Sequence, residues 1–372
     1  MRVFVYEAIT AGAGWAQGAD SAPGNALVSE GLAMLRAVTE DFAAMEGVEV
    51  WGLRDRRYAD FELRRREVVI PSAAEERGEF QRLANVCDWA LIIAPELDGM
   101  LEERVAWVME TNARLLSPSG DFLKIASSKT KTAERLSERG IPVPAHVGVP
   151  PLGGIGRPPE GGTPTFPLVL KRDDGAGSVR MRLIHNREEL EALGYRSPSS
   201  ANSAPLRDAH LQYEGITQRR RERGENAEEY RLERFCPGLA ASVAILCGPG
   251  EDVPLQPCEQ ILNPATFEYL GGRMPLPPHL ENRAKSLALA AIAAMPPTTG
   301  YVGVDLVLGE QAKGSEDVVI EINPRLTTSY VGLRQACRQN LAQAMLDMAR
   351  GRPVDLSFRD ERVEFRVDGS RS

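Results

Sequence analysis

Glu321-Ile322-Asn323-Pro324-Arg325 stands sixteen residues downstream of Asp305, which lies within Val302-Gly303-Val304-Asp305-Leu306-Val307-Leu308, and these two segments decide the fold. Both read as strands: Val304, Leu306 and Leu308 alternate on one, Val318, Ile320 and Ile322 on the other. The polar loop from Gly309 to Asp317 joins them as a hairpin. With Asp305 opposite Glu321, period-two geometry puts Asp305, Glu321 and Asn323 on one face and sends the aliphatic residues into a core behind them. Two carboxylates and an amide oxygen, with no His or Cys ligand nearby, suit a hard cation such as Mg2+, which takes few protein ligands and keeps positions open for phosphate oxygens. Mn2+ is the alternative metal. Arg325 adds a fixed positive fork. Either segment alone reads as a solvated strand edge; together they place an acidic pair on a partly buried face, which is costly without a neutralising partner.

The chain has 372 residues, more than one ordinary core, so two or three packed domains are expected. A net charge of -8 argues against a nucleic-acid partner over the whole surface. The longest basic run, Arg219-Arg220-Arg221, is surrounded by glutamates and reads as a solvated face. Five scattered cysteines without a C-x-x-C pair fit reduced thiols in a cytoplasmic protein. No apolar run approaches the roughly 20 residues of a membrane span, so no membrane partner is expected. The four histidines show neither metal spacing nor a partnered serine motif.

Residues 1 to about 118 alternate strands and helices, the pattern of a parallel sheet covered on both faces. The loop Thr10-Ala11-Gly12-Ala13-Gly14-Trp15 lacks the third glycine of a dinucleotide fingerprint. Ser127-Ser128 caps a helix carrying Lys129, Thr132, Ala133 and Leu136, and a proline- and glycine-rich linker follows from Pro150 to Pro167. Phe166 to Lys171 and Val179 to Leu183 read as two strands around Asp173-Asp174-Gly175-Ala176-Gly177-Ser178. That turn is either an ordinary hairpin or a flap whose backbone N–H groups meet phosphate oxygens; Lys171 at the strand end favours the flap. The charged stretch 186–226 reads as an insertion, one helix is expected from Arg334 to Arg350, and the C-terminal tail, Arg359 to Ser372, is expected to fray at its end.

The order Lys129-x-x-Thr132, Lys171 with its glycine-rich loop, Glu233-Arg234-Phe235 ahead of Gly238, Asp305, and Glu321-x-Asn323-Pro324-Arg325 resembles the ATP-grasp superfamily. The resemblance implies an α/β first domain (1–118, pre-ATP-grasp) and a two-lobed α+β ATP-grasp part. Its small lobe would span 119–235, its large lobe 236–350, and a C-terminal tail 351–372. It further implies that Lys129, Lys171, Gly175, Gly177 and Ser178 meet ATP phosphates. Glu233, Phe235 and Cys236 would receive adenine, and Asp305, Glu321 and Asn323 would hold Mg2+. Arg325 would stabilise the transferring phosphoryl group or the oxyanion. No acid stands at Ala240, where many members bind ribose.

Glu321 to Leu333, Pro237 to Val243, and Val5 to Thr10 with Ser29-Glu30-Gly31 show a narrower likeness, to the tyramine–glutamate ligases of methanofuran biosynthesis and their bacterial relatives in one-carbon metabolism. This implies an ADP-forming ligase acting on a small-molecule carboxylate and an amine. A homodimer is left open. Thr327, Thr328, Ser329 and Tyr330 would either grip substrate or cap a helix start. Tyr330, Tyr301 or Trp15 would supply an aromatic wall. The alternatives are another amino-acid or peptide ligase of the D-alanine type and a non-catalytic nucleotide-binding regulator.

Overall fold

The computed structural model describes residues 1–13, 26–58, 63–146, 165–174, 181–193 and 230–370. The first unit contains β1 (Arg2–Glu7), α1 (Ala26–Ala43), β2 (Glu49–Asp55), β3 (Arg66–Ile70), α2 (Glu76–Val86), β4 (Trp89–Ile93), α3 (Met100–Met109) and β5 (Arg114–Leu115). Its strands are parallel in the order β3-β2-β1-β4-β5. Alternation along β1 splits its side chains between two layers. Val3 and Val5 pack with Leu35, Val38 and Phe42 of α1, while Phe4 and Tyr6 pack with Phe80, Leu83 and Leu101 on the opposite face. The strand order reverses between β1 and β4, so a crevice opens beyond their carboxyl ends, where open α/β sheets bind ligands.

The second unit holds α4 (Gly120–Ala126), α5 (Lys129–Glu138), β6 (Leu168–Arg172), β7 (Arg182–Ile184), α6 (Arg187–Ala192) and β8 (Tyr230–Arg234). Its antiparallel sheet, β7-β6-β8, packs around Leu168, Leu170, Ile184 and Leu232. Ser128 caps α5, its hydroxyl accepting from the Lys131 N–H at 3.2 Å. Asp173, just past β6, takes the Thr130 N–H at 2.7 Å and the Ser128 hydroxyl at 2.6 Å. This clamp fixes Lys129 and Lys171 relative to each other. The expected flap Gly175-Ala176-Gly177-Ser178 follows immediately and lies outside the described residues, as do Trp15, most of the linker, most of the insertion and Arg219 to Arg221.

The third unit comprises β9 (Leu239–Cys247), β10 (Val253–Pro254), β11 (Cys258–Leu262), β12 (Tyr269–Met274), α7 (Pro278–Ala294), β13 (Gly300–Leu308), β14 (Val318–Asn323), α8 (Tyr330–Ala336), α9 (Leu341–Ala349) and β15 (Val363–Arg366). The strands form an antiparallel sheet, β14-β13-β9-β11-β12-β15, with β10 against β9. Ala284, Ala288 and Ile292 of α7 cover Val302, Val304 and Leu306 on one face. The other face joins α8 and α9 to α1 in a core shared with the first unit. Gly238 has φ +147, and a Cβ there would strike the Leu308 carbonyl oxygen, so glycine is required where the chain enters β9.

Two expectations change. The single helix from Arg334 to Arg350 is two helices, because Asn340 starts a new one: its side chain accepts from the Gln343 N–H at 3.1 Å. The C-terminal residues contain β15, paired with β12 and anchored by fully buried Phe365.

Candidate metal and nucleotide site

Strands β13 and β14 pair Asp305 with Glu321 and Gly303 with Asn323, with an irregularity in the ladder just after Asp305. Asp305 accepts from Asn323 Nδ2 and from Gln260 Nε2, each at 3.1 Å, and has no ion pair among the described residues. Burial first, and then the neighbouring Glu321 carboxylate, push Asp305 above the usual carboxylate range. Glu321 goes the opposite way. Burial would raise it, but Lys129 and Lys171 outweigh burial and hold it low, with Lys129 Nζ at 3.0 Å from its Oε2. Burial likewise opposes the Lys129 ammonium, and Glu321, Glu96 and Asp173 overcome that and raise it.

Lys171 extends from the small sheet toward the same strand, its Nζ 3.4 Å from the Ile320 carbonyl and 2.7 Å from Glu233 Oε2. Arg231 also pairs with Glu233. Both lysines expected at the phosphates therefore rest on carboxylates, from which a stronger polyanion can draw them. No group of three or more His, Cys, Asp or Glu side chains forms a metal cage among the described residues. The set on β13 and β14 is two carboxylates and an amide, and Asp305 is met by the Asn323 and Gln260 amides and the Ser242 side chain but by no cation among the described residues. That fits a divalent ion completed by water and phosphate oxygens.

Glu233 and Phe235, expected at the adenine, are both engaged within the protein. The Glu233 carboxylate is buried in its pairs with Lys171 and Arg231, so it can accept from adenine only after one of them moves. The Phe235 N–H donates to the Pro167 carbonyl at 3.0 Å and is not available to a ring edge. Cys236 is half-buried at the passage from β8 to β9.

Arg325 is held from the first unit: its Nε donates to Glu96 Oε1 and Oε2 at 3.0 and 3.2 Å, and its Nη1 to the Leu326 carbonyl at 3.3 Å. The hydroxyls beyond it bond to one another. Thr327 Oγ1 lies 2.8 Å from Ser329 Oγ, and the Tyr301 hydroxyl lies 3.2 and 3.1 Å from these two. Ser329 makes no side-chain cap on α8. Thr328 and Ser329 are buried. Tyr330 is fully buried, and its hydroxyl donates to Asp41 of α1 at 2.8 Å, so it pins the two units together and presents no surface to a substrate. Tyr301 is buried as well and forms no aromatic wall.

The structure adds residues that local pattern did not single out: Gln260 on β11, Glu96 after β4, Arg231, and Asp173 at the lobe clamp. It also shows a narrow cleft beyond the ends of β1 and β4, with room for a group about the size of one water molecule, lined by Glu7, Glu30, Ile9, Met34 and Arg325 among others. Gly31 shapes it, since a Cβ there would lie 2.6 Å from the Glu7 carboxylate.

Comparison with known families agrees with this architecture. The ATP-grasp domain family matches residues 213–329, and the pre ATP-grasp 3 domain family matches residues 48–121. The chain contains an ATP-grasp domain. Solved ATP-grasp structures share the fold across nearly all of it. An ATP-grasp superfamily protein from Archaeoglobus fulgidus superimposes with a TM-score of 0.63 at 20% identity over 98% of this chain and 92% of that one. The L-amino acid ligase of Bacillus licheniformis superimposes with a TM-score of 0.60 at 15% identity over 93% and 73%. Among curated relatives, the tyramine–L-glutamate ligase of Methanocaldococcus fervens is 28% identical over 141 residues. That match spans 38% of this ATP-grasp chain and less than half, 44%, of the relative.

Proposed function

We propose that this ATP-grasp protein is an ATP- and Mg2+-dependent ligase that joins a carboxylate to an amine through an acylphosphate. L-glutamate is the acid, tyramine or tyrosine is the amine, and the product belongs to methanofuran-type cofactor synthesis. The observation that carries this reading is the convergence of Asp305, Glu321 and Asn323 with Lys129 and Lys171, which come from a different sheet and helix. A regulator that only sensed nucleotide would have no need of a charge set spanning two lobes and aimed at one strand. The named relative supports the substrates.

In this reading residues 1–118, 119–235 and 236–350 act as three units, and the flap at Gly175, Gly177 and Ser178 belongs to the second. Lys129 and Lys171 leave their carboxylates for the phosphates of ATP, while Asp305, Glu321 and Asn323 hold Mg2+. The bound ion supplies charge neutralisation at the phosphate oxygens. The substrate carboxylate attacks the γ-phosphorus and ADP departs. The amine then attacks the acyl carbon and displaces phosphate. Arg325, held by Glu96 two residues beyond β14, meets the oxyanion that forms in that step. Thr327 and Ser329 contribute by holding the loop after Arg325 through Tyr301.

ADP release measured with amino acids and amines in pairs tests the proposal. Turnover should require L-glutamate together with tyramine or tyrosine, and should yield ADP. Turnover with D-alanine alone and none with that pair would replace the substrates. No ADP release with any pair would remove the ligase.

A further inference from the structure

Resting on the ligase reading, we propose that the narrow cleft between the first unit and Arg325 receives the ammonium head of the amine substrate, with the Glu30 carboxylate as the group that binds this ammonium and takes its proton. The cleft stands at the crevice beyond β1 and β4, where the strand order reverses. Arg325, two residues from Asn323, forms part of its wall, so an occupant sits beside the metal strand. Ile9, Leu27, Met34 and Ile93 give it aliphatic sides.

Its charge balance selects the ligand. Two carboxylates, Glu7 and Glu30, and one guanidinium, Arg325, line it. The Glu7 carboxylate is already engaged by the Ile9 and Thr10 N–H groups at 3.1 and 2.8 Å. Arg325 is engaged by Glu96. Glu30 has no hydrogen bond or ion pair among the described residues, although it is largely withdrawn from water. An ammonium head complements this lining, whereas a carboxylate head does not. Burial raises Glu30 to about 7, against the pull of Arg325 and with help from Glu268, which suits a group that accepts a proton near neutral pH. The step balances: the ammonium gives one proton to Glu30, its lone pair forms the C–N bond, the C–O bond to phosphate breaks, and the second proton leaves with the phosphate.

Hydroxylamine separates this role from the first half-reaction, because it is small, uncharged at neutral pH and traps an acylphosphate as a hydroxamate. With ATP, Mg2+ and L-glutamate, Glu30→Gln should make hydroxamate at close to the wild-type rate with an unchanged KM for glutamate. Its KM for tyramine should rise about tenfold or more, the loss expected for one charged hydrogen bond. Leu27→Lys, which places a like charge in the cleft, should raise the same KM and gives a second reading if Glu30→Gln folds poorly. Equal losses in both assays, an unchanged tyramine KM in both variants, or a rise in the glutamate KM instead would overturn the assignment. Wild-type protein that forms neither hydroxamate nor amide would overturn the ligase reading, and the subsite with it.

Discussion

Asp305 and Glu321 face each other across one rung of a hairpin, yet their surroundings drive them apart: Lys129 neutralises Glu321, whereas Asp305 is met by amides and a hydroxyl and by no cation among the described residues. Substitution should separate function from stability accordingly. Without metal or nucleotide, Asp305→Asn relieves a buried like-charge contact and should raise stability by ~1 kcal/mol, as such substitutions at strained functional sites commonly do. Glu321→Gln removes the carboxylate 3.0 Å from the buried Lys129 ammonium and should lower stability by about 3 kcal/mol, the scale for breaking a buried pair. Both variants should lose turnover. Thermal melting beside ADP release checks this, and a destabilised Asp305→Asn would mean that Asp305 is a structural acid. The triad was legible because period-two alternation fixes which side chains share a face once the hairpin is assumed. Gln260 was not, and Glu30 stood only within a stretch of family likeness with no role attached, since both reach the site from elements far apart in the chain, and no local pattern encodes that approach.

Elements explain where the reading of Tyr330 failed. It follows the metal strand by few residues, which suggested a grip on substrate, but α8 turns its first residue toward α1. Period and spacing describe a helix's face without saying which neighbour that face will meet. Tyr330→Phe removes one interfacial hydrogen bond to Asp41, and should cost about 1 kcal/mol of stability while leaving both substrate KM values unchanged. A raised KM at unaltered stability would restore the substrate role. The split between α8 and α9 has a similar origin: apolar periodicity runs through the segment, and the break is set by the Asn340 cap and by the pairing of Cys337 with Phe358. The strand β15 escaped notice for want of length, being four residues whose burial depends on β12.

At the scale of the molecule, one hydrophobic core joins the first unit to the sheet that carries Asp305, and Glu96 reaches across the same junction to fix Arg325. The small sheet is tied in through Asp173 at α5, through Lys171 at Ile320, and through Arg172, which pairs with Asp98 of the first unit. The arrangement aims charges from all three units at a single strand, and acylphosphate chemistry needs that convergence because both half-reactions occur at one carboxylate. Oxygen transfer is the direct test. L-glutamate labelled with 18O in its carboxylates, incubated with the protein, MgATP and tyramine, should yield phosphate carrying one 18O per amide formed, with ADP as the nucleotide product. Unlabelled phosphate, or label recovered in AMP, would contradict the acylphosphate route.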